Sequence, residues 1–138
     1  MEIKFKHSTE YRIRYAETDK MGYCYYGNYP TFLEVGRVEL FRALGISYKS
    51  LEENGVLLPV LDLNIKYHAP ALYDDLIRVD TSLIRLDGVR LFFDYSIYNE
   101  TDILLVKAST TLVFVDDKNR KPIAPPQNFV SLIAPYVY

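Results

Sequence analysis

The sequence predicts an α+β domain in which one strand, one long helix and then four antiparallel strands follow one another, the strands curling around the helix. Three observations carry this. Asn28 and Pro30 mark a helix start and Gly45 a helix stop, bracketing residues 29–44. Leu61, Leu63, Ile65 and Tyr67 alternate with Asp62, Asn64, Lys66 and His68, the period of two of a strand. The pair Asp87-Gly88 and the run Asn99-Glu100-Thr101-Asp102 divide the following alternating stretches into hairpins.

In chain order, the rough alternation of Glu10 to Tyr15 reads as a first strand, followed by a loop up to Asn28. Along the helix, Phe32, Val35, Gly36, Leu40, Ala43 and Leu44 form a wide apolar arc, and Val38 and Phe41 extend it toward the other side, so the helix is expected to be enclosed on several sides. Ser47 to Glu53 reads as a short second helix. Pro70 ends the strand at 61–67, and strands are expected over Leu76–Leu86, Val89–Tyr98 and Ile103–Val115 before the polar and proline-containing stretch from Asp116 to Pro126.

At 138 residues the chain is expected to be one domain spanning 1–138. A net charge of -2 and scattered Lys and Arg leave no basic patch for nucleic acid. A single cysteine, Cys24, forms no intramolecular disulfide, and no Cys/His spacing resembles a zinc site, so neither metal nor redox cofactor is expected. Charged residues interrupt every apolar run, and the start lacks a signal-peptide core, which predicts a cytoplasmic protein without membrane insertion.

Function concentrates in Tyr15–Tyr29. Asp19 sits on a loop shortly before a helix N-terminus, where unpaired backbone N–H groups and the helix dipole favour negative charge. The same donors suit a carbonyl oxygen becoming an oxyanion. Gly22 permits backbone conformations closed to other residues, and Tyr23, Tyr25 and Tyr26 supply pocket walls. These residue types alone fit either an acyl-transfer site or an acidic loop that merely caps the helix.

Tyr15, Thr18-Asp19, Gly22, Tyr25, Asn28 and Tyr29, followed by Tyr67-His68-Ala69-Pro70 and Asp74-Asp75, resemble the hotdog-fold acyl-CoA thioesterases of the 4-hydroxybenzoyl-CoA thioesterase family, over about Thr9 to Pro126. The resemblance implies a five-stranded antiparallel sheet wrapped around a central helix. It implies that Asp19 is the catalytic carboxylate, attacking the thioester or activating water, and that the backbone N–H of Tyr26 polarises the carbonyl. It also implies a homodimer or homotetramer whose site lies between subunits. Gly22, Tyr23, Tyr25 and Tyr29, with Leu61, Asp62, Leu63 and Arg90 as candidates for the partner's wall, would then contact substrate. The carrier is coenzyme A or acyl carrier protein. The chain has Glu17 where many members carry Asp, Tyr26 where one branch carries His, and Gly27 where another carries Pro. These departures bear on the acyl group more than on the reaction. A non-catalytic hotdog module binding acyl-CoA or acyl carrier protein is the alternative, and the retained Thr18-Asp19 and Gly22 favour the enzyme.

Other residues have plainer readings. Glu34 and Arg37 are expected to pair at i,i+3, and Glu39, on the apolar arc, to need a cation or a subunit boundary. Arg85 and Arg90 flank a turn and are either solvated or directed at coenzyme A phosphates. Cys24 reads as a small buried residue and His68 as structural.

Overall fold

The computed structural model describes residues 1–138. Strand β1 spans Glu2–Arg12, α1 Tyr29–Leu44, α2 Tyr48–Glu53, β2 Val56–Leu57, β3 Val60–Tyr67, β4 Leu76–Asp87, β5 Arg90–Tyr98, β6 Leu104–Val113, β7 Val115–Asp116 and α3 Gln127–Ile133. Five strands form one antiparallel sheet in the order β1-β4-β5-β6-β3, and β2 pairs with β7 in a separate two-stranded ladder. With α1 laid against β1 and β4, this is the hotdog fold.

The helix bounds agree with the sequence reading, but its cap does not. Gly45 adopts φ +107°, which closes the helix through its N–H to the Phe41 and Arg42 carbonyls. Asn28 makes no side-chain cap; its amide donates instead to the Glu17 carbonyl at 2.9 Å, and a 3₁₀ turn over Tyr26–Asn28 leads into α1. The buried face consists of Tyr29, Phe32, Leu33, Gly36, Arg37, Leu40, Phe41 and Leu44. Val35 is only half-buried and Ala43 exposed, so the arc is rotated from the one expected. Gly36 fixes that rotation, because a Cβ there would run into the Thr81 hydroxyl and Val79 on β4. Glu39, consequently turned outward, pairs with Arg42 at 3.2 Å.

Three further elements differ from expectation. β1 begins at Glu2 rather than near Glu10 and pairs along its length with β4, while Tyr15–Glu17 is a 3₁₀ turn. His7 and Thr9 occupy inward positions, which hides the alternation from an apolarity pattern. The last long strand divides into β6 and β7, the latter turning to meet β2. Finally, α3 follows the prolines, with Phe129 and Ile133 fully buried and the Phe129 ring 5.6 Å from Phe41 and 5.3 Å from Phe114.

Sheet residues such as Ile77, Val79, Leu91, Phe93, Ile97 and Leu112 bury completely with Phe32, Leu33, Leu40 and Phe41 of α1 to form the core. Helix and core stop short of β3. On this edge strand Val60, Leu61, Leu63 and Tyr67 are 43–55% exposed, leaving an apolar strip beside an unpaired backbone edge.

Candidate active site

Residues 18–24 fold back on themselves through local bonds. The Asp19 N–H donates to the Tyr23 carbonyl at 2.8 Å, the Gly22 N–H to the Asp19 carbonyl at 3.0 Å, and Thr18 bridges Cys24. Gly22 takes φ +78° with open space where a Cβ would be, so this glycine is required by conformation and not by crowding. The loop is clamped to the body by the Cys24 N–H on the Ala71 carbonyl at 2.7 Å and the Tyr25 N–H on the Glu17 carbonyl at 2.7 Å.

Two carboxylates in this loop have opposite environments. Glu17 is 5% exposed and accepts from the Tyr11 hydroxyl at 2.6 Å, the Arg14 N–H at 2.7 Å and the Arg14 guanidinium at 3.2 Å. Burial alone would raise its pKa, but the hydrogen bonds from Arg14 and Tyr11 and the Arg14 charge outweigh it and leave the carboxyl below its ordinary range. Asp19 is half-buried, and its Oδ1 accepts the Met21 N–H at 2.9 Å and the Tyr23 N–H at 3.3 Å. Its Oδ2 accepts nothing from the chain.

Asp19 lines a cavity of about 310 Å³ with Met21, Tyr23, Cys24, Tyr26, Tyr29, Tyr67, His68, Ala69 and Pro70. Tyr26, on its wall, and the following Gly27 have N–H groups that donate to no acceptor in the chain, whereas those of Tyr25 and Asn28 are both used. The Tyr67 hydroxyl donates to the Tyr26 carbonyl at 3.1 Å and ties β3 to this turn. A carboxylate with a free oxygen and a residue with a free backbone donor, Tyr26, thus share one recess, the pairing that acyl transfer from a carbonyl requires.

The structure brings together some of the expected site residues and separates others. Asp19, Tyr23, Tyr26 and Tyr29 meet at the cavity, although Tyr29 is buried and pushed up to about 12 in pKa by burial, its ring set edge-on to Phe32 and Tyr67. Gly22 shapes the loop without lining the cavity. Tyr25 is exposed, its ring lying 4.8 Å from Tyr26 over the space left by Gly27. Within one chain Leu61, Asp62, Leu63 and Arg90 do not reach Asp19. Arg90 is exposed and without an ion pair, and Arg85 stacks over Phe92 at 4.1 Å.

Two residues stand differently from the sequence reading. His68 is exposed and lines the Asp19 cavity; its place directly after Tyr67 in the motif was the available signal. Arg37 does not pair with Glu34 but is buried against the Tyr48 and Tyr95 hydroxyls at 3.3 and 3.2 Å. Cys24 is 5% exposed, and burial and the Glu17 charge push its thiol up to about 11, which leaves it unreactive at neutral pH. The largest cavity, about 730 Å³, lies apart from the loop between the start of β1 and the C-terminal Pro135–Tyr138. No His, Cys, Asp and Glu side chains cluster in a set of three able to hold a metal ion.

The family model of the thioesterase-like superfamily matches residues 13–133. The chain belongs to this superfamily. It is 41% identical over 114 residues, 83% of either chain, to YneP of Bacillus subtilis (strain 168), provisionally named an acyl-CoA thioesterase. It is 32% identical over 120 residues to YbgC of Escherichia coli O6:H1, named an acyl-CoA thioester hydrolase, covering 87% of this chain and 90% of that one. A crystal structure of a DHNA-CoA thioesterase from Staphylococcus aureus superimposes with a TM-score of 0.91 at 34% identity, covering 95% of this chain and 90% of that one. The superfamily member is therefore a thioester hydrolase, as the motif resemblance implied. No helix in it is long and apolar enough to cross a membrane.

Proposed function

We propose that this thioester hydrolase acts on acyl-CoA, converting it to free acid and coenzyme A, with Asp19 as the catalytic carboxylate and the Tyr26 N–H as oxyanion donor. One observation supports this most: Asp19, whose Oδ2 accepts nothing from the chain, and Tyr26, whose N–H is unused, line the same cavity. In the reaction the thioester carbonyl oxygen gains charge and is held by the Tyr26 N–H; one such donor is typically worth about 2.7–4 kcal/mol in the transition state. Asp19 either attacks the carbonyl carbon, giving an anhydride that water then opens, or takes a proton from the attacking water. The C–S bond breaks with the electron pair leaving on sulfur, and a thiol pKa of about 8.5 makes this departure easy without a strong acid. His68, on the same cavity wall, is available to return a proton to the thiolate.

The exposed strip on β3 supports assembly through this edge into a homodimer, and further into a tetramer. If two copies paired antiparallel about a point near Asn64, the partner's Leu61, Asp62 and Leu63 would come opposite the Tyr67 end and wall the Asp19 cavity. That arrangement would restore the role expected for these residues, with Arg90 left for the coenzyme A phosphates. Acyl carrier protein is the second candidate carrier, and the cytoplasm the compartment in which either is met.

Thiol release from short, long and aromatic acyl-CoAs tests the proposal. The native protein should turn over at least one and the Asp19→Asn variant none at comparable rate. Binding of acyl-CoA without turnover by the native protein would favour a non-catalytic acyl-thioester module instead.

A further inference from the structure

The turn Tyr26–Asn28 has few side chains of its own to hold it in place. Tyr26 is 64% exposed and Gly27 has no side chain, so Asn28 is the one residue of the turn whose side chain hydrogen-bonds to another part of the chain. Its position is that of a helix cap, where the side-chain oxygen ordinarily accepts an N–H of the first turn. Here that demand is reduced, because Pro30 has no N–H and the Tyr29 N–H is taken by the Tyr26 carbonyl. Asn28 lies in the helical region, at φ -83° and ψ -18°, instead of the extended region usual for a cap, and makes no cap bond. Its Nδ2 donates to the Glu17 carbonyl at 2.9 Å.

That carbonyl is a junction. It also accepts the Tyr25 N–H at 2.7 Å, so the turn is fastened at both ends to one oxygen on the segment that leads into Asp19. The Asn28 N–H donates in turn to the Tyr25 carbonyl at 3.0 Å. The peptide between Tyr25 and Tyr26 is trans and planar, so a carbonyl held inside the turn directs the Tyr26 N–H the opposite way, out of it. No other side chain joins the turn to residues 17–19; the Tyr67 hydroxyl ties it to β3 instead.

We propose that Asn28 is a positioning residue for the reaction: its side-chain amide sets the separation between the Asp19 segment and the Tyr26 N–H, so that one thioester carbonyl meets both. This rests on the thioesterase reading above, with the Tyr26 N–H as donor. Asn28 does not line the Asp19 cavity and acts through its neighbours. The thioester must offer its carbon to the carboxylate, or to the water that the carboxylate activates, and its oxygen to the N–H at the same time. A displacement of about 1 Å in such an arrangement costs on the order of 10²-fold in rate. With the amide link removed, the exposed turn keeps only the Tyr25 N–H on the Glu17 carbonyl and draws away from Asp19. The loss falls on the transition state, in which the oxygen is charged, more than on ground-state binding.

Asn28→Asp and Asn28→Ser separate positioning from helix capping. Both are favourable caps, but the carboxylate cannot donate and the serine hydroxyl falls one atom short. The full-length proteins are assayed with whichever of acetyl-, hexanoyl-, palmitoyl- and benzoyl-CoA the native protein hydrolyses fastest. Each variant should lower kcat about tenfold or more while KM changes less than about threefold and the melting temperature stays close to native. The same thioester, isotopically labelled at its carbonyl and bound to Asp19→Asn, should show a carbonyl stretch below its value in water, and adding Asn28→Asp should remove about half of that shift or more. Native kcat in both Asn28 variants, with turnover abolished by Asp19→Asn, overturns the inference and leaves the thioesterase reading standing. Variants whose kcat and melting temperature fall together while the carbonyl stretch is unmoved overturn it too, and make Asn28 a residue of the helix start alone. No turnover of any of these thioesters by the native protein, with no shift of a bound carbonyl, removes both readings.

Discussion

Glu17 and Asp19 are two residues apart on one loop, are both carboxylates, and do opposite things. Glu17 is enclosed and all its bonds go to its own chain, from Tyr11 and Arg14, so it fastens the loop to β1. Asp19 lines a cavity, with one oxygen steadied by two backbone N–H groups and the other accepting nothing from the chain. The difference arises from the backbone: the 3₁₀ turn at Tyr15–Glu17 points position 17 inward, and the reversal at Gly22 wraps the chain around position 19. Chemical identity therefore does not assign the role of a carboxylate here; the number of its acceptor sites already used does.

Exchanging each residue for its amide breaks the comparison most sharply. Asp19→Asn should lower kcat by 10³-fold or more, while unfolding free energy changes by about 0.5 kcal/mol, as at a surface position. Thiol release and urea unfolding on one preparation read both. Glu17→Gln should reverse the pattern, costing about 1–3 kcal/mol because a buried acceptor of charged hydrogen bonds is replaced, and retaining turnover in the fraction that stays folded.

The pH dependence sharpens the same contrast. With its folded pKa lowered, Glu17 contributes stability that is present above its unfolded pKa of about 4.3 and is lost as pH falls through the folded value. The gap in unfolding free energy between native protein and Glu17→Gln should hold constant from pH 6 to 8 and shrink below about pH 4. A smaller effect is expected at Gly22→Ala, where φ +78° strains any side chain by about 1 kcal/mol and should displace Asp19, lowering kcat more than KM rises. Smallest is Tyr67→Phe, which removes one bond to the Tyr26 carbonyl and should cost about 1 kcal/mol or less of stability with a few-fold loss of rate.

Much of this arrangement was legible in the sequence because it is local. The span of α1, the Asp87-Gly88 hairpin and the run of β3 follow from short-range punctuation and period, and the Asp19 loop is contiguous with the helix it serves. What was not legible depends on contacts far apart in sequence. Arg37 looks like the partner of Glu34 three residues away, and only the fold brings Tyr48 and Tyr95 to it. The rotation of α1 is set by Thr81 against Gly36, a pair about 45 residues apart in sequence. Residues Gln127–Ile133 carry the helical spacing of Phe129, Leu132 and Ile133, masked by the prolines before them. The roles expected for Leu61, Asp62, Leu63 and Arg90 have no counterpart inside one chain, where none of them lines the Asp19 cavity.

The most direct test is the crossed pair, Asp19→Asn and Glu17→Gln, assayed together for thiol release and melting temperature. The account predicts an Asp19→Asn protein that melts within about 2 °C of native and does not turn over, beside a Glu17→Gln protein that melts several degrees lower and does. An active Asp19→Asn protein, or two variants that lose activity and stability in the same proportion, would contradict it.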